Sequence, residues 1–174
     1  MEPNMKSEEP KGKRPGAREP RFTHRKFANH REVTEHITDA PGNLGSANSD
    51  SRKAAAEHLG KQGTRTDYES LLDALEREQD RETKLAILKA LYEIGGREIE
   101  NGVLSRGLER LARFMEKNLP DGEVIESAVQ AFRWTGTLSA MVEVLDSIEE
   151  MAKGKYPESE NAVRGLVLEF YTGD

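Results

Sequence analysis

The sequence predicts an all-α fold: a row of amphipathic helix pairs preceded by a flexible arm. Three observations carry this expectation. After Ser49 the apolar residues recur at spacings of three and four, the period of one helix face. No stretch alternates with period two over a useful length, so no strand is expected. Glycine closes every second helix, at Gly60, Gly95, Gly136 and Gly173, which lie 35, 41 and 37 residues apart.

Each element has its own signals. The first helix of the body spans Asp50 to Gly60, with Ala55, Ala56 and Leu59 on one side. Gly60 and Gly63 are expected to end it in a left-handed conformation. Thr66 and Glu69 have the spacing of a capping box, which opens a second helix with Leu71, Leu72 and Leu75 inward. Asp80 caps a third, carrying Leu85, Ile87, Leu88, Leu91, Tyr92 and Ile94, and Gly95-Gly96 are expected to stop it.

The fourth helix is expected from about Glu98 to Asn118, with an apolar stripe at Leu104, Leu108, Leu111 and Met115. Leu119-Pro120 closes it, because a residue before proline avoids the helical region. Asp121 caps the fifth, with Val124, Ile125, Ala128, Val129 and Phe132 inward and Gly136 at its end. Thr137 opens the sixth, which carries Leu138, Met141, Val142, Leu145, Ile148 and Met151 and ends at Gly154. The seventh runs from about Glu158 to Tyr171, with Ala162, Val163, Leu166, Val167 and Phe170 as its apolar side.

The glycine-ended helices alternate with the others, giving a helix-pair repeat of 35 to 41 residues whose first unit is half a repeat. The segment Arg52-Lys-Ala-Ala-Ala-Glu-His-Leu-Gly60, followed by Tyr68-Glu-Ser-Leu-Leu-Asp-Ala-Leu75, resembles HEAT-like repeats of the phycobilin lyase type. In that family an Ala-x-x-Leu-Gly helix precedes an x-x-Leu-x-x-Ala-Leu helix. Leu85-Ala-Ile-Leu-Lys-Ala-Leu-Tyr-Glu-Ile-Gly95 continues the pattern, whereas Trp134-Thr135-Gly136 and Tyr171-Thr172-Gly173 depart from it. The resemblance covers residues 50–95 well and 96–174 loosely. It implies a short α-solenoid of about seven helices that binds proteins, and in some members nucleic acid, on a concave face. No pattern here points to pigment attachment or lyase chemistry. The physics is consistent with stacking, because one helix hairpin cannot cover its own apolar face.

Charge divides the chain. The net charge is −6, but residues 1–31 carry +5 and residues 32–174 carry −11. Five of the seven prolines fall in the first 41 residues, where large apolar side chains are scarce. Residues 1–48 are therefore expected to be a disordered or extended arm and linker, with the repeat domain at 49–174. Within the arm, Phe22 and Phe27 are interleaved with Lys13, Arg14, Arg18, Arg21, Arg25, Lys26 and Arg31. Aromatic and basic side chains mixed in this way can plug a groove on a partner or stack on unpaired bases.

In the body, Arg106, Arg110, Arg113 and Lys117 repeat at four, three, four, almost opposite the apolar stripe of the fourth helix. Such a row can track phosphates or remain a solvated surface. Arg133-Trp134 form a candidate hot spot, since anchors at interfaces favour Trp and Arg. The alternative role for Trp134 is packing between neighbouring repeats. Other bases, Arg52, Lys84, Lys89 and Arg164, are scattered over the glycine-ended helices.

Signals for catalysis are poor. The chain has no Cys, which excludes a disulfide scaffold, a thiolate zinc site, an iron–sulfur cluster and a cysteine nucleophile. Gly60-Lys61-Gln62-Gly63-Thr64 lacks the spacing of a phosphate loop. His24, His30 and His36 fall in the arm without a fourth ligand or a folded frame for a metal. No nucleophile stands with a base, and Glu123/Glu126 and Glu149-Glu150 read as solvated helix faces. The sequence thus leads to a non-enzymatic, cytoplasmic scaffold with neither metal nor cofactor nor membrane anchor, gripping a protein partner. A second reading stays open, a ribonucleoprotein- or DNA-associated factor whose arm contacts phosphates.

Overall fold

The computed structural model describes residues 39–98 and 106–172, and every regular element among them is helical. Eight helices occur among the described residues: α1 (Ala40–Asn43), α2 (Ser49–Gln62), α3 (Arg65–Arg77), α4 (Arg81–Glu98), α5 (Arg106–Asn118), α6 (Gly122–Phe132), α7 (Leu138–Ala152) and α8 (Pro157–Thr172). No strand occurs among the described residues. The helix beyond the expected seven is α1. Its N-cap Asp39 accepts from the Gly42 backbone N–H at 3.3 Å, and Ala40 and Leu44 are buried in the common core. The stretch expected to be a linker therefore packs against α2.

Most helix starts follow from cap chemistry. A side-chain oxygen that accepts an orphan N–H of the first turn fixes where a helix begins. Asp80 Oδ1 accepts from Thr83 N at 2.9 Å, Asp121 Oδ1 from Val124 N at 3.2 Å and Thr137 Oγ1 from Ala140 N at 3.4 Å. The start of α3 differs from expectation by two residues. Asp67, not Glu69, reaches back, accepting from Thr64 N at 2.8 Å. This start places Tyr68, only 1% exposed, on the buried face with Leu71, Leu72 and Leu75.

The glycines act differently from expectation. Helix α4 continues through Gly95-Gly96 to Glu98. Gly95 is needed for close packing: a Cβ there would fall against the Trp134 ring, 2.7 Å from its Cγ. Gly60 likewise lies inside α2, where a Cβ would sit 3.1 Å from Cα of Ala90 on α4. Gly63 caps α2 with extended backbone at φ −68°, and α6 already ends at Phe132, four residues before Gly136. Only Gly154, which ends α7, adopts a positive φ (68°) among the described residues. The first part of the expected fourth helix, including Leu104, lies outside the described residues.

Every substantial helix contact joins elements adjacent or next but one in the chain. The pairs α1/α2, α3/α4, α5/α6 and α7/α8 pack as hairpins. The even helices α2, α4, α6 and α8 also contact one another in order, as do the odd helices α1, α3, α5 and α7. One continuous core runs between the two rows, from Ala40 and Leu44 through Leu71, Leu91, Ile94, Leu111 and Ile125 to Leu145 and Val163.

Polar links between like helices repeat the same interval. Arg81 on α4 binds Asp121 and Glu123 of α6, 40 and 42 residues on. Arg97 donates to the Gly60 and Gly63 carbonyls, 37 and 34 residues back. Arg110 on α5 reaches Asp73 and Glu76 of α3 across 37 and 34 residues, and Arg133 reaches Glu169 across 36. The glycine intervals of 35, 41 and 37 fall in the same range.

Candidate functional site

The cationic row of α5 divides into an engaged part and an open part. Arg110 is engaged: its guanidinium donates to Glu76 at 2.6 Å and to Asp73 at 2.7 Å, with Glu69 at 3.7 Å. Its side chain is 17% exposed. Arg113 and Lys117, one and two turns further on, are exposed. The only hydrogen bond Arg113 makes among the described residues is from Nε to the Glu109 carbonyl of its own helix, at 3.3 Å. Lys117 has no polar partner among the described residues. The side chain of Arg106 lies outside the described residues, so the row is followed from Arg110 onward.

Arg113 and Lys117 overhang a cleft of about 530 Å³ where the end of α3 and the start of α4 meet α5. Leu75 and Phe114 supply apolar surface, while Arg77 and Lys84 add two more cations. Lys84 Nζ donates to Asn118 Oδ1 at 3.0 Å and lies 6.0 Å from the centroid of Phe114. An ammonium has three donors, so Lys84 keeps capacity for a ligand.

The two acids of the cleft are already committed. A hydrogen bond from Arg110 holds the Glu76 carboxyl below the usual carboxylate range. Glu78 accepts from Nε and Nη2 of Arg52 at 2.7 and 2.8 Å and from the backbone N–H groups of Gln79 and Asp80, both at 2.9 Å. The Arg52 bond, helped by those amides, pushes its pKa down although burial opposes this. Glu78 thus ties α2 to the turn before α4.

Several other expected contacts turn inward. Trp134 packs on Gly95 and Gly96, with its ring 5.8 Å from that of Tyr92, so it fills the gap between α4 and the turn after α6. Arg133 donates to Glu169 at 2.9 Å and links α6 to α8. Arg52 and Arg164 are also held in ion pairs, the latter with Glu149 and Glu160. Arg52 and Arg133 thus join different helices, while Arg164 joins the two helices of one hairpin. The arm residues Lys13, Arg14, Arg18, Arg21, Phe22, Arg25, Lys26, Phe27 and Arg31, with His24, His30 and His36, lie outside the described residues.

Local periodicity finds the α5 row but misses the part Arg77, Lys84 and Phe114 play in the cleft. They stand on three different helices, and only the repeat interval brings the end of α3 beside the middle of α5. Among the described residues no cluster of three or more His, Cys, Asp or Glu is placed to hold a metal ion. No described helix is long and apolar enough to cross a membrane.

Comparisons with protein-family models, with curated proteins and with solved structures find no match to this chain.

Proposed function

We propose that this protein is a non-enzymatic binding module, a short HEAT-like superhelix that grips a protein partner through its body while the basic arm makes a second contact. The observation that carries the reading is the division of the α5 row: Arg110 is consumed by α3, whereas Arg113 and Lys117 stand open over a cation-lined cleft. Helix contacts that join mainly adjacent and next-but-one elements, and the links across 34 to 42 residues, support the repeat architecture. The residues that resemble HEAT-like repeats, from Arg52 to Gly95, support the same choice. Two weak contacts on one chain raise affinity through effective concentration, provided the segment between them spans both sites.

The test is recovery of a partner by cross-linking from the native cell, with and without nuclease, followed by reconstitution from purified components. The reading expects a protein that survives nuclease, binds the purified chain and binds more weakly once residues 1–31 are deleted. Recovery that vanishes with nuclease, together with an affinity for nucleic acid that falls steeply with salt through the arm, would instead establish the nucleic-acid-associated reading.

A further inference from the structure

We infer that the α3–α5 cleft takes a carboxylate-rich helical segment of another protein, docked so that it prolongs the acidic face of α3. The assignment rests on the binding-module reading above. The protein contains its own example of the contact. Glu69, Asp73 and Glu76 follow one another at four and three residues on α3, and all three face Arg110 of α5. Helix α3 then ends at Arg77, while α5 runs on to Asn118. Arg113 and Lys117 therefore continue a basic row whose acidic counterpart has stopped. A partner helix with carboxylates at the same spacing supplies it, since residues three and four apart share a helix face.

The lining suits such a segment. Glu76 is bonded to Arg110 and Glu78 to Arg52, and neither makes an ion pair with Arg77, Lys84, Arg113 or Lys117. Leu75 and Phe114 back the cleft but are 2% and 6% exposed, so recognition rests chiefly on its cations. Charge also selects the class of partner. The cleft is short, and residues 32–174 carry −11 overall, so a polyphosphate strand that left the cleft would meet a repelling surface. A short acidic segment does not extend that far. The arm of this chain, at +5 over residues 1–31, has the wrong sign to occupy the cleft.

The probe is a fluorescein-labelled Glu/Leu peptide of about three helical turns, followed by anisotropy against the full-length protein. A Gln/Leu peptide of equal length and a single-stranded oligonucleotide serve as comparisons. Wild type should bind the Glu/Leu peptide best. The double variant Arg113→Glu/Lys117→Glu should lose at least about tenfold in affinity, and added salt should weaken the wild-type complex. Both side chains are exposed, so the unfolding midpoint should not move. Should the reversed pair disturb folding, Arg113→Gln/Lys117→Gln gives the same comparison without new charge.

Equal binding of the Gln/Leu peptide, undiminished binding by the folded double variant, or tighter binding of the oligonucleotide each overturns the assignment. Self-association of the protein through this cleft, read as a change in sedimentation between wild type and double variant, overturns it as well. If the double variant still binds the reconstituted partner as wild type does, the cleft assignment fails while the binding-module reading stands. If wild type has no nuclease-resistant partner, the binding-module reading fails.

Discussion

At the scale of single residues, charge is used mainly to join neighbours. Glu78 is the clearest instance, a residue 6% exposed that accepts four hydrogen bonds, two of them from one guanidinium. Its pKa is lowered in the folded state, so its contribution to stability is present above the ordinary Glu pKa and is lost as pH falls through the folded value. Glu78→Gln should therefore cost about 1–3 kcal/mol at neutral pH, because buried donors lose a charged acceptor. Wild type should also lose stability between about pH 5 and pH 3 more steeply than the variant. Thermal unfolding across that range checks both, and parallel curves would contradict the assignment. Caps at this scale are legible because their chemistry is local: Asp80, Asp121 and Thr137 all start the helices their side chains predict. Thr64–Asp67 and Thr66–Glu69 are two overlapping boxes, and only the burial of Tyr68 decides between them.

At the scale of elements, the apolar periodicity identifies α2 to α8, while glycine misleads about where some of them stop. A glycine is selected either for its backbone freedom or for the room its missing Cβ leaves, and the residue alone does not reveal which. Gly95 serves the second purpose, admitting Trp134 against α4. Gly165 lies within α8, exposed, with nothing within 4 Å of an added Cβ. The two should respond with opposite sign. Gly95→Ala should destabilise by about 1–3 kcal/mol through overpacking. Gly165→Ala should stabilise by about 0.5–1 kcal/mol, the ordinary helix preference for alanine. Urea unfolding of both variants checks the contrast, and a stabilised Gly95→Ala would show that Trp134 is not seated there. The candidate site was half legible for a similar reason. The spacing of Arg110, Arg113 and Lys117 marks a row, but the carboxylates that claim Arg110 lie 34 to 41 residues earlier, beyond any local pattern.

At the scale of the whole molecule, the substantial contacts among the described helices join adjacent helices or the next but one, and several ion pairs span the same step. In the proposed repeat array stability is a sum of repeat and interface contributions, so the proposal has its ends opening more readily than its middle. The proposed partner surface then sits on α3 and α5, inside the array, where the frame is held from both sides. Gly60, Gly95 and Gly136 recur at 35 and 41 residues, yet none of them closes a helix: Gly60 and Gly95 lie against the next even helix or the turn that follows it, while Gly136 lies against Leu108 and Met141. Native-state hydrogen exchange, read helix by helix, tests this most directly. The account predicts the greatest protection in α4 to α6 and progressively easier opening toward α2 on one side and α8 on the other. One common opening free energy shared by all the helices, with α8 as protected as α4, would contradict a neighbour-to-neighbour array.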